Sequence, residues 1–231
     1  MKNRIVAGLL IAAVSGSIVL AQTGKPAEQG PEARQAPGAP AQPELTREMF
    51  LEDEVAPRVQ PADYDATIVM YTDYQCPYCR KAHLELKELL ASDRKVRILY
   101  RDWPIFGEAS ERAARLAIAS KWQGLHEQFH DALMRTPGKL TEKSIRAAAD
   151  KAGVNWARLE QDLKKHGPEI EALLARNDMQ ANALGLGGTP GFIIGETLVP
   201  GGMDLTGFKE LVKEARAGPQ HGTGPATSSG R

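Results

Sequence analysis

The stretch Ala66-Thr67-Ile68-Val69-Met70-Tyr71-Thr72-Asp73-Tyr74-Gln75-Cys76-Pro77-Tyr78-Cys79-Arg80-Lys81-Ala82-His83-Leu84 decides how the chain folds. Ile68 to Tyr71 is an apolar run, β-branched at its start, and reads as a buried strand. A short polar turn follows. Cys76 then stands where a helix would begin, with Pro77 at its first position. Proline suits that position because its φ is already helical and its missing N–H would have had no partner. Leu84, Leu86, Leu89 and Leu90 carry the helix onward.

Two cysteines three apart at the head of a helix lie about one turn from each other, within disulfide reach. The first sulfur faces the free N–H groups and the positive end of the helix dipole. That favours thiolate over thiol, so the pKa of Cys76 is expected to be depressed. A low-pKa thiolate is also a good leaving group, which makes the disulfide form reactive and oxidising. Cys79, one turn deeper, is the expected resolving partner. Two blander roles compete, an inert disulfide and half of a zinc site. The chain has only these two cysteines, which excludes a four-cysteine zinc site built from it. A disulfide closing so small a loop removes little chain entropy and is a poor staple. The strand–CxxC–helix context therefore favours redox chemistry, which needs no cofactor and no metal.

The 231 residues are 42% hydrophobic and 25% charged, enough for one or two globular domains. The 29 basic and 29 acidic side chains balance, so no global field points to nucleic acid. At the N-terminus, Lys2 and Arg4 precede an apolar run from Ile5 to Leu20, and small residues around Ala21 suit a cut after it. Residues 1–21 are thus read as a signal peptide. No cysteine directly follows, so it is not a lipoprotein signal. The rival reading is an uncleaved anchor, although the run is short for a span of about 20 residues. Either reading places the body outside the cytoplasm, where thiols tend to be oxidised.

Residues 22–43, rich in Pro, Ala, Gly and Gln, read as a disordered tether. Residues 44–62 read as an N-terminal helix, from Glu44 to Val55, and a linker with Pro57 and Pro61. Lys95 to Arg101 begins by alternating polar and apolar and predicts a second strand, parallel to the first because a helix connects them. Trp103-Pro104-Ile105-Phe106-Gly107 is an apolar exit loop. Glu108 to Leu186 predicts five helices, with Thr141 and Asn155 as N-caps of two of them. Gly187-Gly188-Thr189-Pro190-Gly191 breaks the pattern. Phe192-Ile193-Ile194 and Thr197-Leu198-Val199 predict a hairpin around Gly195-Glu196. Asp204 caps a last helix, and residues 217–231 read as a disordered tail.

This order resembles an α/β thioredoxin fold carrying an inserted helical domain, the arrangement of the DsbA-like thiol:disulfide oxidoreductases. The resemblance runs in order from about Asp63 to Arg216. Three stretches carry it: Tyr71 to Cys79, Tyr100-Arg101-Asp102-Trp103-Pro104-Ile105-Phe106-Gly107, and Gly188-Thr189-Pro190-Gly191-Phe192. It implies a first half at 63–107, a helical insertion at 108–186 and a second half at 187–216. It also implies that Pro190 is cis and lies beside the cysteine pair, and that Thr189 offers its backbone to an extended substrate peptide. The residues alone leave Pro190 open between that and an ordinary trans turn.

The match has departures. Arg58-Val59-Gln60-Pro61-Ala62-Asp63-Tyr64-Asp65 replaces the usual glycine-containing approach to the first strand. The central dipeptide is Pro77-Tyr78 rather than Pro-His, so the positive charge a histidine adds is missing. Pro-Tyr with Thr189 also resembles exported isomerases and the suppressor-of-copper-sensitivity class, which leaves oxidase and isomerase both open. The partners implied are unfolded or partly folded exported proteins with cysteines, and a redox partner that resets the pair. Nucleic acid is not among them, and membrane contact would come only through an uncleaved N-terminal anchor. The implied location is the periplasm.

Four other features are weighed. His126-Glu127-Gln128-Phe129-His130 matches H-E-x-x-H, which on a helix would offer two zinc ligands and a glutamate base. Leu125, Phe129 and Leu133 explain the same helix as a packing element, and no third ligand follows. Asp73, three before Cys76, reads either as a tuner of Cys79 or as a turn residue. His83 is expected to be half-exposed. Tyr74, Tyr78, Trp103 and Phe106 are read as an apolar rim for clients or as core. A redox-inert binding module with a closed disulfide is the reading of another class.

Overall fold

The structure is a computed structural model and describes residues 46–218. The signal, the tether and residues 219–231 lie outside the described residues. The β-branched and apolar run of the opening stretch forms a strand, Ala66–Thr72, at the centre of a five-stranded sheet. In chain order the strands are β1 (Arg58–Val59), β2 (Ala66–Thr72), β3 (Val96–Asp102), β4 (Gly191–Ile194) and β5 (Thr197–Pro200). Their spatial order is β1-β3-β2-β4-β5. Only β2 and β3 are parallel, with Ile68 opposite Ile98 and Thr72 opposite Asp102.

The crossover between them is α2 (Pro77–Ser92), which starts and stops where its cap and apolar spacing predict. Before it, α1 (Arg47–Leu51) is much shorter than the expected Glu44 to Val55, because Asp53 folds back to accept from the amides of Val55 and Ala56. The two residues of β1 pair antiparallel with β3 inside the stretch expected to be linker.

Because side chains alternate along a strand, β2 feeds two cores. Ile68 and Met70 join a cluster with α2, the helices that follow β3, and α8 (Leu205–Ala217). Val69 and Tyr71 join Leu51, Leu99, Trp103, Ala181 and Leu186 on the other face. Between β3 and β4 run α3 (Glu108–Ala119), a 3-10 turn, α4 (His126–Met134), α5 (Glu142–Lys151), α6 (Trp156–Lys165) and α7 (Gly167–Ala183). Thr141 caps α5, Asn155 caps α6 and Asp204 caps α8, each accepting from a backbone N–H three residues on. Ala217 closes α8 rather than opening a tail.

Two helices do more than fill the insertion. α7 lies against β3: Asn177 donates to the Asp102 carbonyl at 2.9 Å, and Trp103 donates to Asp178 at 2.9 Å. α8 packs on α2 and on the hairpin. Gly195 is required at that contact, having φ 61° and room for a Cβ only 2.9 Å from the Cβ of Ala215.

Candidate active site

The site is built where β2 ends and α2 begins. Asp73, buried at the end of the strand, accepts from Gln75 N (2.7 Å), Ser110 Oγ (2.7 Å) and Phe106 N (3.1 Å). These bonds shape the turn that delivers Cys76 to the N-cap of α2. The side chain of Asp73 is fully engaged as a turn and loop organiser, which favours that role over the tuning role.

Cys76 and Cys79 are both buried and both free. The Cys76 sulfur accepts from the Cys79 amide at 3.4 Å. Its pKa falls to about 6, first because the Cys79 thiol can donate to it; burial opposes this, and the Thr189 hydroxyl and the amides of Cys79 and Tyr78 add to it. The Thr189 hydroxyl is buried and has no other hydrogen-bond partner. Cys79 behaves oppositely: burial pushes its thiol well up, and the neighbouring Cys76 adds to that. One sulfur is thus prepared as a thiolate and the other as a retained thiol.

The 188–191 loop faces this pair. The Thr189–Pro190 peptide bond is cis, and the Cys76 thiol donates to the Thr189 carbonyl at 3.2 Å. A Cβ added to Gly202 would lie 3.9 Å from Pro190 Cγ and 4.0 Å from the Tyr78 carbonyl, so both active segments meet beside that glycine. Pro190 passes its carbonyl to Gly201 N (2.8 Å), leaving Thr189 at the open end.

The aromatic residues divide. Tyr78 is 68% exposed and Phe106 50% exposed beside the pair, whereas Tyr74 and Trp103 are core. His83 is buried, not half-exposed, because its Nε2 meets Asp131 Oδ1 at 2.9 Å across α4. His126 and His130 are buried too. His130 Nδ1 bonds the Tyr74 hydroxyl at 2.9 Å, and Tyr100 lies against both rings. Glu127 is exposed. Among the described residues no group of three His, Cys, Asp or Glu is arranged to hold a metal ion, so the H-E-x-x-H helix is a packing element here.

Sequence reasoning missed Asp102. It is fully buried at the end of β3, and neither carboxylate oxygen reaches a hydrogen-bond donor. Burial raises its pKa to about 7; the nearby Tyr74 hydroxyl pulls it back, and the charge of Asp73 adds to the rise. A charged residue closing a strand whose other residues are core was the available signal.

A thioredoxin-type sheet with a helical insertion, carrying a thiolate-prepared CxxC next to a cis-proline, defines a class of redox-fold domains. The chain belongs to the DSBA-like thioredoxin domain family, whose model matches residues 67–213. Three solved structures illustrate the likeness. A thioredoxin-like oxidoreductase from Silicibacter pomeroyi DSS-3 is 38% identical, with a TM-score of 0.72 over 76% of this chain and 100% of that one. The thiol-disulfide exchange protein alpha-DsbA2 from Wolbachia pipientis is 27% identical, with a TM-score of 0.68 over 72% and 90%. A periplasmic thioredoxin-like protein from Salmonella enterica serovar Typhimurium is 28% identical, with a TM-score of 0.64 over 74% and 95%. Among curated proteins, 68% of the chain is 26% identical to part of a Na(+)/H(+) antiporter, NhaA 1, of Salinispora arenicola. The chain spans about a quarter of the length of that relative (24%).

Proposed function

We propose that the protein is an exported thiol:disulfide oxidoreductase that donates or exchanges disulfides in secreted or periplasmic proteins through Cys76 and Cys79. The observation that carries this is the opposed preparation of the two sulfurs, a thiolate at the N-cap of α2 and a desolvated thiol one turn below. The named structural relatives and the leader-like N-terminus support the redox and periplasmic parts of the reading.

In the oxidising direction a client thiolate attacks the Cys76 sulfur of the disulfide. A client–Cys76 bond forms, the Cys76–Cys79 bond breaks, and Cys79 leaves with the electron pair. It takes up a proton, which its burial favours. A second client thiolate then attacks the client sulfur and expels Cys76 as the thiolate. The client loses two electrons and the pair gains them. The low pKa of Cys76 makes it the better leaving group in this last step. Thr189 would hold the client strand, its carbonyl free to accept a client amide once Cys76 no longer donates to it. A redox partner then reoxidises the pair.

Equilibrating the pair against glutathione buffers, with alkylation and mass measurement, tests this reading. A strongly oxidising potential supports donation of disulfides. A markedly reducing one shifts the assignment to isomerase or reductase work by the same cysteines. An unreactive pair sinks both.

A further inference from the structure

We propose that the groove of about 480 Å³ between the β3–α3 loop and the α4–α5 loop is a subsite for an apolar side chain next to the client's reactive cysteine. This rests on the redox reading and adds to it a substrate preference and the residues that set it. The groove is lined by Gln75, Phe106, Ala109, Gly138, Lys139 and Leu140.

Its two walls come from distant parts of the chain, and the cysteine segment holds them together. Gln75, the residue before Cys76, donates through Nε2 to the Phe106 carbonyl (3.1 Å) and to Ser110 Oγ (3.2 Å). Its Oε1 accepts from Leu140 N at 3.0 Å. One amide thus bridges both walls. Arg80, on the first turn of α2, donates to the Gly138 carbonyl (3.0 Å) and to the Tyr74 carbonyl (3.0 Å). The width of the groove is therefore fixed by two side chains that flank Cys76 in sequence. Such polar bridging positions the walls but presents no charge to an occupant.

The occupant follows from reach. A client sulfur has to contact Cys76, and an extended chain advances about 3.3 Å per residue. The groove floor is one residue from Cys76, so a side chain one or two positions from the client's cysteine lies over it. The chemistry follows from the lining. Phe106, Ala109 and Leu140 present carbon, and Lys139 is the only charged side chain of the six. Phe106 is half-exposed and the adjoining Ile105 is 42% exposed, so an apolar occupant removes surface already in water. A basic neighbour would meet Lys139.

The test uses the full chain with Cys79→Ser and Cys76 capped as its glutathione disulfide. A thiol peptide attacks the Cys76 sulfur, a Cys76–peptide disulfide forms, and glutathione leaves as the thiolate; mass spectrometry gives the rate. Peptides with Phe or Ser beside one cysteine are compared, with free cysteine as the attacking thiol in a third reaction. The Phe peptide is expected to react about fivefold faster than the Ser peptide, less than a closed pocket would give. Phe106→Ser, at a half-exposed position, is expected to bring that ratio below twofold. Equal rates for the two peptides, with free cysteine reacting normally, would overturn the subsite alone. A ratio unchanged by Phe106→Ser would place the preference elsewhere and overturn it too. Failure of free cysteine to exchange would overturn the redox reading and this inference with it.

Discussion

The Cys76 sulfur lies 3.2 Å from the carbonyl oxygen of Thr189, 113 residues further along the chain. The same threonine offers its otherwise unpartnered hydroxyl to the cysteine pair. Thr189 therefore touches the reacting sulfur twice, once through its backbone and once through its side chain. The backbone contact survives any side-chain substitution and the hydroxyl contact does not.

Thr189→Val separates the two. The valine keeps the branched shape and loses the donor that favours the thiolate, so the pKa of Cys76 is expected to rise from about 6 by a few tenths to one unit. Thiolate absorbance followed against pH measures this. Cys79, already held as a thiol by burial, is expected to show no thiolate below pH 9 in either protein. A Cys76 titration unmoved by the substitution would leave the helix N-terminus and Cys79 as its only tuners.

Asp102 should make stability depend on pH in a direction unusual for a carboxylate. Its folded pKa, about 7, lies above the ordinary 3.8, so the folded state binds the extra proton between those values. Stability from this group is complete below about pH 4 and is lost as pH rises through 7. About three pKa units correspond to about 4 kcal/mol. Asp102→Asn removes the ionisation, so urea unfolding is expected to show the variant gaining on the wild type between pH 4 and 8. A constant difference across that range would refute the assignment.

Local chemistry made much of this fold legible in advance. The apolar run Ile68 to Tyr71, Pro77 at the head of α2, the caps at Thr141, Asn155 and Asp204, and the Gly195-Glu196 turn each act within a few residues of themselves. Their elements were therefore readable, to within a residue or two in the strands. The depressed pKa of Cys76 was readable for the same reason. What escaped depends on distant partners. Arg97 and Arg101 give β3 an alternating pattern that reads as half-exposed, yet both are buried. Arg101 is covered because the 49–53 segment supplies the Met49 and Phe50 carbonyls and the Asp53 carboxylate. The two-residue β1, the burial of His83 against Asp131, and Asp102 beside Asn177 are all consequences of packing between segments far apart in the chain.

That N-terminal lock has a measurable energy. Burial pushes the pKa of Asp53 up, but the hydrogen bonds and charges of Arg176 and Arg101 outweigh it and hold the carboxyl below its usual range. Arg101 is fully buried, so Asp53→Ala leaves a guanidinium charge without its counter-ion and is expected to cost about 3–5 kcal/mol. Arg176 is more than one-third exposed, and Arg176→Ala is expected to cost about 1 kcal/mol or less. Urea midpoints of the two variants check the contrast, and equal losses would contradict it.

The histidines of α2 and α4 predict acid sensitivity in the opposite sense to Asp102. His83, His126 and His130 are buried, and burial lowers all three pKa values, that of His126 to about 3. Around them α2 contributes Lys87, the turn before α4 contributes Lys121, and α4 itself contributes Asp131 and Arg135; only Asp131 favours a charged imidazole. The unfolded chain binds protons near pH 6.5 where the folded chain does not, so stability is full above about 6.5 and falls as pH drops toward 3. For His126 alone the loss between pH 7.5 and 4.5 is about 2–3 kcal/mol. Both its ring nitrogens are buried without partners, so His126→Phe removes an unsatisfied polar group as well as the titration. The variant is therefore expected to match or exceed the wild type at pH 7.5 and to exceed it by about 2–3 kcal/mol more at pH 4.5. Thermal unfolding of both proteins at the two pH values decides the matter: a gap that stays the same on acidification would mean that His126 is not held neutral by the fold.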